Sequence, residues 1–334
     1  MPDFFIDYPS ATAAGRPNPG LASHIAVFRA QPLGGMVCAV PALRALRHLA
    51  PRATITLISA PWAEEFASRF RCYIDDFLAF PGHPDLDGRT RRDKFDDFVN
   101  KMSIPFDWLI QLHGDGYMTN AILARLKATH RAGFVSHSHA AGPYFLAYPG
   151  GHESERLNAL ISHLGGRATP ELEWPLTTKD RKDLMHKPWR AALGSEPYIV
   201  VDIGGSDDDQ GRFGLSDLIE RLTAHLAVVL VNAENESWRT DGRTIQAPHL
   251  SLGALGALIA DAQLVIAPEW GAGHIARALS VPSLTLVTDA EPARWCQDEI
   301  SSHSCIDART GLNTDRAWAF VRKTLLARES SHVY

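Results

Sequence analysis

Short apolar runs alternate with amphipathic segments along the first half of the chain. The runs at residues 24–29, 54–59 and 107–112 are rich in β-branched and aromatic side chains and predict three strands. Residues 37–49 place apolar side chains at helical spacing between the first two strands, and residues 117–129 predict a second helix after the third strand. This order predicts a parallel sheet flanked by helices.

The same pattern restarts after a break near residue 176, which predicts a second α/β domain. Its predicted elements are strands at residues 198–203, 227–231, 264–267 and 283–287, and helices near residues 216–225, 252–261 and 272–279. A last helix is predicted over residues 315–327, with Asn313 or Thr314 as its cap. Residues 9–23 predict an irregular segment, and the charged residues 83–92 predict an exposed loop.

Composition narrows the class of protein. The chain has 334 residues, enough for two domains of ordinary size, and its net charge of −5 argues against a dedicated nucleic-acid-binding protein. Its four cysteines include no Cys-x-x-Cys pair, and its 15 histidines show no metal-ligand spacing, so neither a disulfide framework nor a metal site is predicted. No apolar run reaches the roughly 18–20 residues that span a bilayer, and no signal peptide is recognised, so we expect a cytoplasmic location.

Four glycine-containing loops follow predicted strands, at residues 31–36, 113–116, 204–211 and 268–274. The last of them, Pro-Glu-Trp-Gly-Ala-Gly-His, precedes a predicted helix, and the start of a helix offers backbone N–H groups and a dipole that bind anions such as phosphate. The alternative is that its glycines only permit a tight bend. Because ligands bind at the carboxyl ends of strands in open α/β sheets, two such domains predict a cleft lined by these loops.

Three blocks of the sequence together resemble the heptosyltransferase-like glycosyltransferases of family nine. They are residues 25–47, with Leu-Gly-Gly and Pro-Ala-Leu-Arg-Ala-Leu, residues 106–114, and residues 267–280, where the family has Asn-Asp-(Ser/Thr)-Gly-x-x-His. The resemblance extends over residues 24–325 and implies an α/β GT-B fold, in which two Rossmann-like doubly wound domains face a central cleft. It implies an acceptor-side domain over residues 1–175 and a nucleotide-sugar-binding domain over residues 176–312, with the helix at 313–334 packing back on the first domain.

The resemblance also implies an activity. Members of the family transfer heptose or a related sugar from a nucleotide-sugar donor, here expected to be an ADP-sugar, to a glycan or lipopolysaccharide-type acceptor. The transfer is inverting and needs neither a metal nor a cofactor. A lipid-linked acceptor would bring the enzyme to the inner membrane face as a peripheral protein.

Donor-binding residues follow by matching the family motifs. Gly271 and the N–H groups after it match the phosphate turn, Glu269 a sugar contact, and Glu234 a ribose contact. The full set of expected donor-binding residues is Gly204, Gly205, Ser206, Arg212, Glu234, Leu250, Glu269, Trp270, Gly271, Ala272 and His274. Arg212 and Glu234 could equally be solvated surface charges, and Leu250 could be a core residue.

Two positions depart from the family pattern. In the acceptor-side loop Leu33-Gly34-Gly35, a glycine replaces the aspartate proposed as general base, and Trp270 replaces a Ser or Thr. Asp115 is the alternative candidate base, with His113 as the second; otherwise Asp115 forms an Asx turn.

The missing base keeps a second function class open. A catalytically degenerate relative would bind a sugar nucleotide or glycan, or would act as the partner subunit of an active transferase. An epimerase or hydrolase on the same fold is a third class that no residue specifically favours.

Overall fold

The computed structural model describes residues 17–87, 90–102, 105–136, 142–204, 215–233, 243–289, 291–296 and 302–331. These residues form two compact units. The first contains the described residues up to Gln31 together with Ala39–Pro170, and the second contains Pro32–Cys38 together with the chain from Glu171 onward. None of the helices in the described residues combines the length and the hydropathy needed to span a bilayer.

The first unit is built on a six-stranded parallel sheet. Its strands are β1 (His24–Phe28), β2 (Thr54–Ser59), β3 (Asp76–Ala79), β4 (Phe106–Gln111), β5 (Ala128–Val135) and β6 (Phe145–Ala147). Their spatial order is β3-β2-β1-β4-β5-β6. A short 3₁₀ helix at Pro19–Leu21 precedes the sheet, and the flanking helices are α2 (Val40–Leu49), α3 (Ala63–Arg69), α4 (Pro84–Asp87), α5 (Arg92–Lys101), α6 (Thr119–Leu123) and α7 (Glu153–His163).

The second unit repeats this plan with the order β12-β11-β10-β7-β8-β9. Its strands are β7 (Tyr198–Asp202), β8 (Ala227–Val231), β9 (Thr244–Gln246), β10 (Leu264–Pro268), β11 (Ser283–Val287) and β12 (His303–Asp307). Its helices are α1 (Leu33–Val37), α8 (Thr178–Met185), α9 (Pro188–Leu193), α10 (Leu215–Thr223), α11 (Leu252–Ala260), α12 (Gly273–Ala278) and α13 (Thr314–Ser331), with a 3₁₀ turn at Pro292–Arg294. The four central strands are buried at every position, as expected for a parallel sheet covered on both faces.

The α/β class and the seven predicted strands are confirmed. Two local predictions are wrong. The helix predicted over residues 117–129 is only the five-residue α6, because Ala128 already begins β5, which pairs with β4. The loop predicted at residues 83–92 contains the short helix α4, and α5 begins at Arg92.

The boundary between the two units lies after Pro170, whereas the expected boundary lies after residue 175. The units differ from the expected domains in two further places. Residues 32–38 belong to the second unit, although they lie in the first half of the sequence. The terminal helix α13 packs on α10 through Ala317 and Val321, which are fully buried in the core of the second unit. The expectation that this helix packs back on the first domain is therefore corrected, because its apolar face packs in the core of the second unit.

Candidate functional site

Three neighbouring strands of the second unit end at the same edge of its sheet. β7 pairs in parallel with β10 on one side and with β8 on the other, with Val201 opposite Ile266 and Asp202 opposite Val231. The loops that follow these strands therefore start side by side. This is the edge at which doubly wound sheets bind their ligands.

The Asp202 carboxylate joins these three loops. Its Oδ1 accepts hydrogen bonds from the Gly204 N–H (3.1 Å) and the Asn232 side-chain amide (2.9 Å), and its Oδ2 accepts one from the Ala272 N–H (2.8 Å). Asp202 is only 2% exposed. Burial raises the pKa of its carboxyl group, and the three hydrogen bonds oppose that rise. A single buried acid thus fixes three strand ends that are far apart in sequence.

The loops around Asp202 approach one another closely because of their glycines. Gly204 has a left-handed backbone (φ 61°), and a Cβ there would lie 3.1 Å from Trp270 Nε1. A Cβ at Gly271 would collide with the Asp202 carboxylate. The half-buried indole of Trp270 therefore lies against Gly204, and two of the expected donor-binding loops are in direct contact.

Glu269, expected to contact the sugar, is 2% exposed and bonded within the second unit. Its carboxylate accepts hydrogen bonds from the Thr288 N–H (3.1 Å), the Thr288 hydroxyl (3.1 Å) and the Asp289 N–H (2.8 Å). Burial raises the pKa of Glu269, and hydrogen bonds, including those from Thr288 and Asp289, oppose the rise. These contacts fix the loop after β11 to the turn after β10.

His274 is also buried, and both of its ring nitrogens have neighbours in the second unit. Nε2 lies 2.9 Å from the Glu269 carbonyl oxygen, and Nδ1 lies 3.5 Å from Cys38 Sγ. Because a carbonyl can only accept, Nε2 carries the proton and Nδ1 faces the thiol. The ring also packs near Trp295, with centroids 5.8 Å apart. The histidine thus connects the turn to α1.

The loop Leu33-Gly34-Gly35 forms the start of α1, with Gly34 and Gly35 buried and Leu33 half-buried. The Gly34 N–H donates to the Trp270 carbonyl oxygen at 2.8 Å. A Cβ at Gly34 would lie 2.7 Å from the Glu269 carbonyl oxygen. Only a glycine allows α1 to lie this close to the turn.

The two candidate bases, Asp115 and His113, lie in the first unit, in the loop after β4. Asp115 Oδ1 accepts a hydrogen bond from the Tyr117 N–H at 3.0 Å, so the Asx turn that was the alternative to catalysis is present. His113 Nδ1 accepts a hydrogen bond from the Ala30 N–H (3.1 Å), and its Nε2 lies 3.2 Å from Gln31 Nε2. Both side chains are half-buried at the carboxyl edge of the first sheet.

A buried ion pair supports this edge of the first sheet, and the sequence pattern did not indicate it. Arg29, at the end of β1, donates to Glu153 Oε1 at 2.9 Å and to the Leu112 carbonyl oxygen. The Tyr148 hydroxyl donates to Glu153 Oε2 at 2.8 Å. Both charged side chains are at most 1% exposed. The pair joins the end of β1, the loop that carries His113 and the start of α7.

The sequence matches the model of glycosyltransferase family 9 (heptosyltransferase) over residues 103–306, more than half of the chain. The chain belongs to this family. A search of the curated proteins found no match.

Solved structures similar to this family 9 glycosyltransferase share its fold at low sequence identity. One is a family 9 glycosyl transferase from Veillonella parvula (15% identity, TM-score 0.69, covering 91% of this chain and 97% of that one). Another is the E. coli ADP-heptose lps heptosyltransferase II (17% identity, TM-score 0.65, covering 92% of this chain and 99% of that one). A third is E. coli heptosyltransferase WaaC with ADP-2-deoxy-2-fluoro heptose (15% identity, TM-score 0.59, covering 90% of this chain and 99% of that one). The two doubly wound units are those of the GT-B fold.

The expected donor-binding residues of this glycosyltransferase fall into four groups. Gly204, Trp270, Gly271 and Ala272 lie together around Asp202, whereas Glu269 and His274 are buried beside them. Gly205, Ser206, Arg212 and Glu234 lie outside the described residues. Leu250 is buried and just precedes α11, which agrees with its alternative role in the core.

Asp202 was not among the residues expected to be functional. The available signal was an acid at the end of an apolar strand, one residue before two consecutive glycines.

Proposed function

We propose that the protein transfers heptose or a related sugar, with inversion, from a nucleotide-activated donor to a glycan or lipopolysaccharide-type acceptor. Membership of family 9 supports sugar transfer. The observation that carries the proposal is the convergence of the Gly204 loop and the 268–272 turn at the carboxyl edge of the second sheet. Glycines at their closest points allow the two loops to meet at the edge where doubly wound sheets bind their ligands.

The proposed donor is an ADP-sugar. E. coli WaaC, which has a similar fold, was solved with ADP-2-deoxy-2-fluoro heptose. The leaving group of such a donor is a diphosphate, whose charge can be stabilised by backbone N–H groups and cationic side chains. The proposed transfer is metal-independent on this chemistry, with Arg212 as the expected cation. The cytoplasmic location and the association with the inner membrane face stay predictions.

The proposed general base is Asp115, since Gly35 has no side chain to accept the acceptor's proton. The Asx turn engages Oδ1 of Asp115. Oδ2 is the oxygen assigned here to proton transfer. His113 is the second candidate, and its Nδ1 is the nitrogen bonded to the backbone.

The alternative function is a degenerate relative that binds the sugar nucleotide without transferring the sugar. Two observations favour it: the glycine at position 35 and the engagement of Asp115 in an Asx turn. Such a protein would keep the donor-binding loops of the second unit and would lack a general base.

A panel of nucleotide sugars tests both functions. We expect an ADP-sugar to raise the melting temperature and to be consumed only when a glycan acceptor is present. Asp115→Asn is the sharp variant, because asparagine also forms Asx turns and removes only the base. It should lower turnover about 10²–10⁴-fold while leaving the donor-induced shift unchanged.

The outcomes separate the two functions. Donor binding without turnover in the wild type, followed by a gain of turnover in Gly35→Asp, would establish the degenerate relative. Binding of no nucleotide at all would reject both functions.

A further inference from the structure

Asp202 stands out as a buried acid whose three hydrogen-bond donors come from three different loops. They are the Gly204 N–H after β7, the Asn232 amide after β8 and the Ala272 N–H before α12. We infer that Asp202 is a positioning residue, which holds these loops in the arrangement that binds the donor. The inference rests on the proposed function, because it concerns the same donor site.

A purely structural role explains Asp202 poorly. Burying a carboxylate is costly unless its hydrogen bonds are satisfied, and an apolar residue would end β7 as well as it ends β8 at Val231. The Asp202 bonds instead join loops to one another at the ligand-binding edge of the sheet. The buried carboxyl group of Asp202 thus lies at the edge of the sheet where the arrangement of the loops determines ligand binding.

The position of the carboxylate also restricts how a donor can bind. The sequence pattern assigns the N–H groups of the turn to a phosphate, but the Ala272 N–H donates to Asp202 Oδ2 and the Gly204 N–H donates to Oδ1. The Asp202 carboxyl group therefore occupies the hydrogen-bonding position in front of these two N–H groups. The donor diphosphate binds beside these two N–H groups and leaves Asp202 in place.

The bond to Asn232 extends the effect to the loop after β8. Asn232 adopts a left-handed backbone (φ 55°), a conformation that costs free energy for a residue other than glycine. Its side-chain amide donates to Asp202 Oδ1 at 2.9 Å, which holds the residue in that conformation. The chain then continues to Glu234, the expected ribose contact.

The test compares the full-length wild type with Asp202→Ala, Asp202→Asn and the control Tyr198→Phe. Tyr198 begins the same strand, is buried, and donates its hydroxyl to the Leu258 carbonyl oxygen at 2.7 Å. The control therefore loses a buried hydrogen bond of β7 at the end away from the loops. Affinity for ADP is measured by calorimetry, donor KM and kcat by turnover, and protection of the Gly204 and Ala272 amides by hydrogen exchange.

We expect Asp202→Ala to weaken ADP binding and to raise the donor KM by about tenfold or more. In the wild type Asp202 orders the loops before the donor binds, whereas in the variant the donor must order them itself. Asp202→Asn, which keeps one acceptor oxygen, should show a smaller effect in the same direction. kcat should change less than KM. The two amides should exchange faster in both variants, and Tyr198→Phe should lower stability while leaving affinity and exchange unchanged.

Each result decides a different point. If the wild type binds neither ADP nor a nucleotide sugar, the proposed function fails and this inference fails with it. If the wild type binds ADP and the Asp202 variants bind it equally well, or keep their amide protection, only the inference is overturned. If Asp202→Ala does not fold, Asp202→Asn gives the deciding comparison.

Discussion

Gly34 lies where α1 meets the turn after β10, and its replacement by alanine should destabilise the second unit. The Gly34 N–H donates to the Trp270 carbonyl oxygen at 2.8 Å. An alanine Cβ would lie 2.7 Å from the Glu269 carbonyl oxygen and 2.9 Å from the Trp270 carbonyl carbon. Both neighbours are backbone atoms, so α1 has to move away from the turn.

The size of the effect follows from three contributions. Overpacking costs about 1–3 kcal/mol, and loss of the Gly34 hydrogen bond costs about 1 kcal/mol. The higher helix propensity of alanine offsets up to about 1 kcal/mol. The net loss is about 1–4 kcal/mol, which lowers the melting temperature of a unit of this size by about 2–16 °C.

Gly273→Ala is the matched control in the same turn. A Cβ at Gly273 would have ordinary contacts, at 3.5 Å from Thr285 Oγ1 and 3.6 Å from Ala267 Cβ. Gly273 begins α12, so alanine should leave the melting temperature unchanged or raise it. Scanning calorimetry measures both variants. Equal melting temperatures for Gly34→Ala and Gly273→Ala would refute the close approach of α1 to the turn.

Two further predictions concern buried charge. Burial, and then the charge of Arg277, lower the pKa of His303 to about 4 from 6.5. As the pH falls, the unfolded chain therefore takes up a proton on His303 before the folded protein does, and the free energy of unfolding should fall from pH 6.5 towards pH 4. Urea unfolding at several pH values should show a weaker dependence of this free energy on pH for His303→Asn than for the wild type. The same dependence in both proteins would contradict the prediction. Glu153→Ala, which leaves Arg29 buried without its carboxylate, should cost about 3–5 kcal/mol in urea unfolding. The double variant Arg29→Met/Glu153→Leu should lower the free energy of unfolding by less than the sum of the losses for Arg29→Met and Glu153→Leu alone. An additive result would argue against the ion pair.

The central strands were predictable because burial on both faces leaves uninterrupted apolar runs. The strands at residues 227–231 and 283–287 match the observed β8 and β11 in full. The edge strands lack this signal. β3 is exposed or half-buried at all four positions, and β9 has only three residues. β5 begins with half-exposed residues that can equally form a helix, so the predicted helix ran into it.

The turn after β10 was recognisable from the spacing of its glycines, but the network inside it was not. Asp202 bonds to residues that are 2, 30 and 70 positions away in the sequence. No local pattern relates such positions. The Glu269 carboxylate likewise points towards the loop after β11. That loop is near Glu269 only because β11 pairs with β10, which the local sequence does not show.

The assignment of α1 to the second unit has a consequence for the order of folding. Cys38 and His274, which contact one another, are separated by 236 positions. During synthesis, residues 32–38 leave the ribosome long before β10 exists, whereas domains generally fold from the N-terminus onward. The turn around Trp270 can reach its final structure only when an early segment joins a late one. A fragment that begins at Glu171 would therefore lack the helix that covers this turn, and no single cut in the chain separates the two units.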